Sequence, residues 1–204
     1  MCLELGKIRK ILLEPSKFFR GIKKEKGLNK ALTYLGILSL ISTVLGVITT
    51  FIFQDQVYQF IEALFQAKIP RPELTVQFFI ISMVLGYIGA IAGSFIWAGI
   101  LHVWLLIFGS KENYTKTYQL SVYSGTPGYL FGWLPFVNFF VWIYSVAILI
   151  VGTEKICGFS RRKSVAIYLV PLAIFIVLIL LVLSVVVSLK TNPLILQNLA
   201  NRSN

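Results

Sequence analysis

The sequence predicts an all-α membrane protein: a bundle of five transmembrane helices preceded by a basic, amphipathic N-terminal segment at the interface. Three observations predict it. Hydrophobic residues make up 57% of the chain and charged residues only 13%, about half the charged share usual in globular domains. Most of the apolar residues fall in runs of about 18 or more, the length of a membrane crossing. The positive charge is also uneven, with nine of the nineteen Lys and Arg in the first thirty residues.

Residues 1–30 form the basic arm. Leu5, Ile8, Ile11, Leu12, Pro15, Phe18, Phe19 and Ile22 recur at spacings of three and four, interleaved with basic residues. That pattern suits helices lying in the headgroup plane, with lysines reaching outward. Glu14-Pro15 is expected to separate two short helices, because proline disfavours α geometry in its predecessor and cannot donate a helix bond. The arm reads either as a topology anchor or as a docking surface for a partner. Lys17, Arg20, Lys23 and Lys24 are its candidate ligands for anionic headgroups.

The membrane domain is expected over residues 31–190. Span 1 covers 31–53, with Gly36, Ser39, Ser42, Thr43 and Gly46 offering a small-residue packing face. A polar connection follows, in which Val57, Phe60, Ile61, Leu64 and Phe65 mark a separate short amphipathic helix that Pro70 and Pro72 stop. Span 2 covers 77–108 and carries Gly86, Gly89 and Gly93 at helical spacing, a face on which two copies can pair.

From Thr117 to Thr153 no Asp, Glu, Lys or Arg occurs, a run long enough for two crossings. Spans 3 and 4 are placed there, at 117–133 and 138–153, joined by a turn at Leu134-Pro135. Inside span 3, Gly125-Thr126-Pro127 breaks the helix. Every amide or carbonyl released by such a break needs an internal partner. Either a Ser or Thr hydroxyl closes a packed kink, or the span unwinds and exposes carbonyls as discontinuous-helix transporters do. In the second case Tyr123, Ser124 and Thr126 line the opening, with His102 a further candidate. Span 5 covers 165–189, with Pro171 able to kink it, and a polar tail fills 191–204.

With the N-terminus inside, the inner segments hold fifteen Lys and Arg and the outer ones four. The positive-inside rule therefore predicts a cytoplasmic N-terminus and an external C-terminus. Arg161, Arg162 and Lys163, in the loop before span 5, join the arm as candidate headgroup ligands.

Other classes fit poorly. No stacking aromatics or groove-reading module accompanies the charge, so nucleic acid is not an expected partner. His102 is the only histidine and the cysteines are Cys2 and Cys157 alone, which gives no metal cluster and no cofactor. Cys2 follows Met1 without an apolar leader segment, so neither a signal peptide nor a lipobox is read. No nucleophile has an activating base nearby, so catalysis is not expected. His102, near the end of span 2, reads as a structural histidine, or as a pH-sensitive group if it faces the bundle interior.

Several short motifs in a fixed order carry a family resemblance. They are Leu13-Glu14-Pro15 in the arm, Gly109 after span 2, Tyr123-Ser124-Gly125-Thr126-Pro127, Leu134-Pro135, Gly152, and Phe159 to Ser164 before the last span. With five spans behind a basic arm, the chain resembles the Yip1-domain family of integral membrane proteins. The resemblance implies a multi-pass protein with a cytosolic N-terminus. Eukaryotic members act in the early secretory pathway, where they are thought to meet Rab-type GTPases and to shape or sort membranes. The arm here is short, which points to a prokaryotic cell-membrane relative. On this reading the chain is a non-catalytic scaffold or adaptor that engages anionic lipid, and a protein partner at the inner face. A transporter or channel built around the broken third span is the alternative. The absence of Asp, Glu, Lys and Arg from the spans favours the scaffold, since ion and proton pathways usually use such groups.

Overall fold

A computed structural model describes residues 2–71, 75–135 and 137–191. Pro72 and residues 192–204 of the expected tail lie outside them. The described residues form eight helices and divide into two compact units at Arg161. The first unit contains α1 (Cys2–Leu13), α2 (Pro15–Ile22), α3 (Asn29–Phe65), α4 (Val76–Ile107), α5 (Tyr114–Ser124), α6 (Thr126–Phe131) and α7 (Asn138–Cys157). The second is α8 (Arg161–Thr191) after its first residue, with Pro171 inside it.

Four helices are long and apolar enough to cross a membrane: α3, α4, α7 and α8. Their outer surfaces carry exposed large apolar side chains, such as Phe51, Leu85, Ile96 and Phe139, each more than 60% accessible. A water-soluble monomer does not leave so large a continuous apolar surface uncovered. This is an integral, multi-pass membrane protein.

The structure differs from the expected element map in two places. First, α3 is one helix of 37 residues, not a span followed by a separate amphipathic helix. Gln54, Asp55 and Gln56 are polar, but no Gly or Pro interrupts the chain between Gly46 and Pro70. Polarity alone does not end a helix. The end comes at Gln66, in the left-handed conformation with φ 51°. Arg71 then folds back along α3, donating to Asp55 at 3.2 Å and to Glu62 at 3.1 Å. Second, the expected span 3 is two short helices, α5 and α6, each below spanning length.

Local signals account for the other ends. Pro15 occupies the start of α2, where its missing amide costs nothing, and the Glu14 carbonyl accepts from the amides of Lys17 and Phe18. The Thr75 hydroxyl caps α4 by accepting from the Phe78 amide at 3.1 Å. At the other end Gly109, with φ 83°, gives its amide to the Leu106 carbonyl while Ser110 gives its own to Leu105. That pair of bonds is a Schellman closure, and it explains the glycine.

The core is gathered at one end of the first unit. Tyr34, Leu35 and Leu38 of α3, Leu101 and Leu105 of α4, and Ile148 and Ile156 of α7 are buried there. Every residue of α5 from Thr117 to Ser124 is buried between them. Ile11, Phe19 and Ile22 of the arm complete this core, with α2 packed against α7. Part of the arm's apolar face is therefore covered by protein, while Leu5 and Leu13 stay exposed. Gly152 makes room for it, since a Cβ there would lie 2.4 Å from Leu120 Cδ1 and 3.0 Å from the Phe19 ring.

Candidate functional site: the arm docked on a broken helix

α5 carries an unusual load for so short a buried helix: Lys116, Gln119 and Tyr123 stand at spacings of three and four, on one face. That face receives the arm. Lys116 Nζ donates to the carbonyls of Ile22 and Glu25, both at 2.6 Å, and to Gln119 Oε1 at 3.2 Å. These three bonds use all the donors of an ammonium group. Gln119 Nε2 donates to the Gly27 carbonyl at 2.8 Å. Gly27 itself has φ 77°, so the chain turns from the arm into α3 at a position suited to glycine. The backbone of the arm-to-α3 link thus finds its partners on α5.

Tyr123 closes the same face. Its hydroxyl donates to Glu25 Oε1 at 2.8 Å and accepts from Lys7 Nζ at 3.1 Å. The Lys7 ammonium also stands 4.7 Å from the centre of the Tyr123 ring and 5.1 Å from that of Tyr34. Both distances suit cation–π attraction. Phe18 and Tyr34 meet the Tyr123 ring edge-on, at 5.1 and 5.3 Å. Farther along the arm, the Tyr144 hydroxyl of α7 donates to the Leu12 carbonyl.

The break itself is closed. Pro127 has no amide to offer the Tyr123 carbonyl, and the Thr126 hydroxyl donates to that carbonyl at 2.7 Å. A hydroxyl has one proton, so the 2.9 Å contact between Tyr34 and Thr126 is donated by Tyr34. Ser124 Oγ donates to the Ser121 carbonyl at 3.0 Å, which also accepts from the Gly125 amide. Gly125 keeps ordinary helical angles; a Cβ there would come within 3.0 Å of the Tyr129 ring. This is the kink closed by a hydroxyl, and the carbonyls an unwound span would expose are occupied.

The structure brings Tyr123 and Thr126 together with the arm and α3, and turns Ser124 and Gly125 towards a crevice on another side of α5. Pro127 is buried at the start of α6. The other expected residues stand apart from this cluster. Glu14 pairs with Lys17 at 2.8 Å on the surface, and that hydrogen bond holds its pKa below the ordinary carboxylate value. Pro15 is half-buried, and Pro135 lies exposed in the turn after α6. Lys17, Arg20, Lys23, Lys24 and Arg161 are exposed, as are Arg162 and Lys163 in the second unit. His102 Nδ1 lies 3.0 Å from the Thr117 hydroxyl, with the ring edge-on to Tyr114.

Sequence reasoning missed Lys7, Glu25, Tyr34, Lys116 and Gln119 as site residues. For three of the site's residues a signal existed in the spacing of Lys116, Gln119 and Tyr123 on one helical face. For Lys7, Glu25 and Tyr34 no local signal existed.

An apolar surface of spanning width, and an interior whose polar groups serve to anchor a folded arm, define a multi-pass membrane protein. Residues 9–184 match the Yip1 domain, most of the chain, and the protein belongs to that family. No curated protein and no solved structure matches the chain.

Proposed function

We propose that the protein is a non-catalytic membrane scaffold whose docked arm presents a cationic face to anionic headgroups and to the acidic surface of a partner protein. One observation carries this reading. The arm buries Ile11, Phe19 and Ile22 in the bundle while Arg9, Lys10, Lys17, Arg20, Lys24 and Lys26 stay exposed. A helix that only anchored to lipid would turn its apolar face to the acyl chains. Here Ile11, Phe19 and Ile22 of that face are covered by the protein, and the exposed charge is what the arm chiefly offers. Each Lys or Arg near an anionic leaflet contributes about 1 kcal/mol.

In this reading α5 and α6 together make the fifth crossing, as one broken span. The arm is cytoplasmic and the C-terminus external, because that orientation puts most Lys and Arg inside. The apolar segments 31–53, 77–108, 117–133, 138–153 and 165–189 hold no Asp, Glu, Lys or Arg, which supports a scaffold over an ion path.

The experiment is chemical crosslinking in native membranes followed by mass spectrometry, on wild type and on a variant carrying Lys23→Glu, Lys24→Glu and Lys26→Glu. A discrete partner captured by the wild type and lost from a folded variant supports the proposal. The same partner profile in both overturns it.

A further inference from the structure

Lys7 reaches into the cluster on α5 from outside it. The groups it meets belong to other elements: Tyr34 to α3, Tyr123 to α5, and Phe18, edge-on to Tyr123, to α2. Tyr34 and Tyr123 are buried, and the Lys7 ammonium stands 5.1 and 4.7 Å from their ring centres and 3.1 Å from the Tyr123 oxygen. Both phenol protons are committed elsewhere. Tyr34 gives its proton to Thr126 at 2.9 Å, and Tyr123 gives its own to Glu25 at 2.8 Å. What the site offers Lys7 is therefore aromatic π-electrons and an oxygen that can only accept. A positively charged donor fits such a place, and a carboxylate or phosphate does not.

The helix that delivers this cation is held lightly. Ile11 is the buried large side chain of α1 among its described residues, while Leu5 and Leu13 are 61% and 69% accessible. Its other tie is the bond from Tyr144 to the Leu12 carbonyl. An element with so little burial opens at small cost. The rings and the Glu25 carboxylate lie outside α1, so the site remains when α1 opens.

We propose that Tyr34 and Tyr123 form a binding site for a primary alkylammonium group, which Lys7 fills as a tethered ligand and from which an external amine displaces it. The ligand's nitrogen takes the place of Lys7 Nζ, donating to the Tyr123 oxygen and lying against the two rings. The same chemistry is carried by the ethanolamine headgroup of a phospholipid and by a free amine. A quaternary ammonium keeps the attraction to the rings but has no proton for Tyr123, and binds less well.

The test begins with Lys7→Ala in maltoside micelles and amine-free buffer, titrated with propylammonium, the part of the side chain that the substitution removes. The melting temperature should rise by about 2–4 °C at saturation, and 1-propanol should leave it unchanged. Lys7→Met, which fills the space with a neutral chain, should not respond to the amine, nor should Lys7→Ala combined with Tyr123→Leu. Hydrogen exchange on the wild-type chain then reads displacement. Protection of residues 5–13 should fall in phosphatidylethanolamine nanodiscs relative to phosphatidylcholine nanodiscs, both lipids being zwitterionic, if the source is a headgroup. If the source is a free amine, it should fall when propylammonium is added to phosphatidylcholine nanodiscs, with no difference between the two lipids. Equal rescue by 1-propanol, rescue that survives Tyr123→Leu, or full protection of α1 against both amines would each overturn the proposal.

Discussion

The Tyr123 hydroxyl donates to the Glu25 carboxylate at 2.8 Å, across 98 residues of sequence, and ties the arm to the buried helix α5. The same oxygen accepts from Lys7, so one phenol links a cation from α1 and an anion from the α2–α3 link. Tyr123→Phe keeps the ring contacts and removes the bridge. It should weaken arm docking by about 1.5–3 kcal/mol, the worth of hydrogen bonds to charged groups. Hydrogen exchange in nanodiscs is the measurement: protection should fall in residues 5–25 and hold in α4 and α7. Unchanged protection in the arm would show that the apolar contacts suffice.

Thr126 and Pro127 form a matched pair. Thr126→Val takes the donor from the Tyr123 carbonyl and the acceptor from Tyr34, which should cost about 1–3 kcal/mol. Pro127→Ala returns a backbone amide to that carbonyl and should straighten α5 into α6. The double variant should be more stable than Thr126→Val alone, as read from thermal unfolding in detergent. Strict additivity of the two changes would sink the account of the kink given above.

Gly152→Ala should destabilise the protein by about 1–3 kcal/mol, as overpacking a filled core does. Its Cβ would sit 2.4 Å from Leu120 and 3.0 Å from Phe19, both fully buried. Gly93→Ala, where the added methyl meets nothing within 4 Å, is the control and should be near neutral. Equal melting temperatures for the two variants would contradict the packing described here.

Glu14 gives a pH dependence with a definite sign. Its folded pKa lies below 4.5 because Lys17 hydrogen-bonds the ionised form. The pair therefore supports the start of α2 above pH 4.5, and that support is lost as pH falls through the folded value. Glu14→Gln should match the acidified wild type in arm protection and be insensitive to further acidification in this range. Being exposed, the pair contributes little, and a large effect would point to a role outside the arm.

The membrane class and the family were legible from the chain, because both are written in local signals. Apolar runs of spanning length need no tertiary knowledge, and Tyr123 to Pro127 is a contiguous string. The course of α3 was not legible. Gln54 to Gln56 read as the end of a span, yet a helix stops only where capping or backbone geometry stops it, and that point is Gln66. The arm's docking was hidden for a different reason. Phe19 and Ile22 show the same periodicity whether lipid or protein covers them, and the covering surface comes from α5 and α7, more than ninety residues away. The role of Lys116 was hidden because its three acceptors are two carbonyls of the arm and its link and Gln119, a constellation only folding assembles.

The unbroken length of α3 carries a mechanical consequence. At about 1.5 Å per residue its 37 residues make a rod of about 55 Å, against a hydrocarbon layer of about 30 Å. One end is the socket where the arm docks, and the other is braced by Arg71 against Asp55 and Glu62. A rigid rod pivoting within a bilayer is a lever. A tilt of a few degrees about the docked end would therefore move the other end, with its Arg71 brace, sideways by several ångströms.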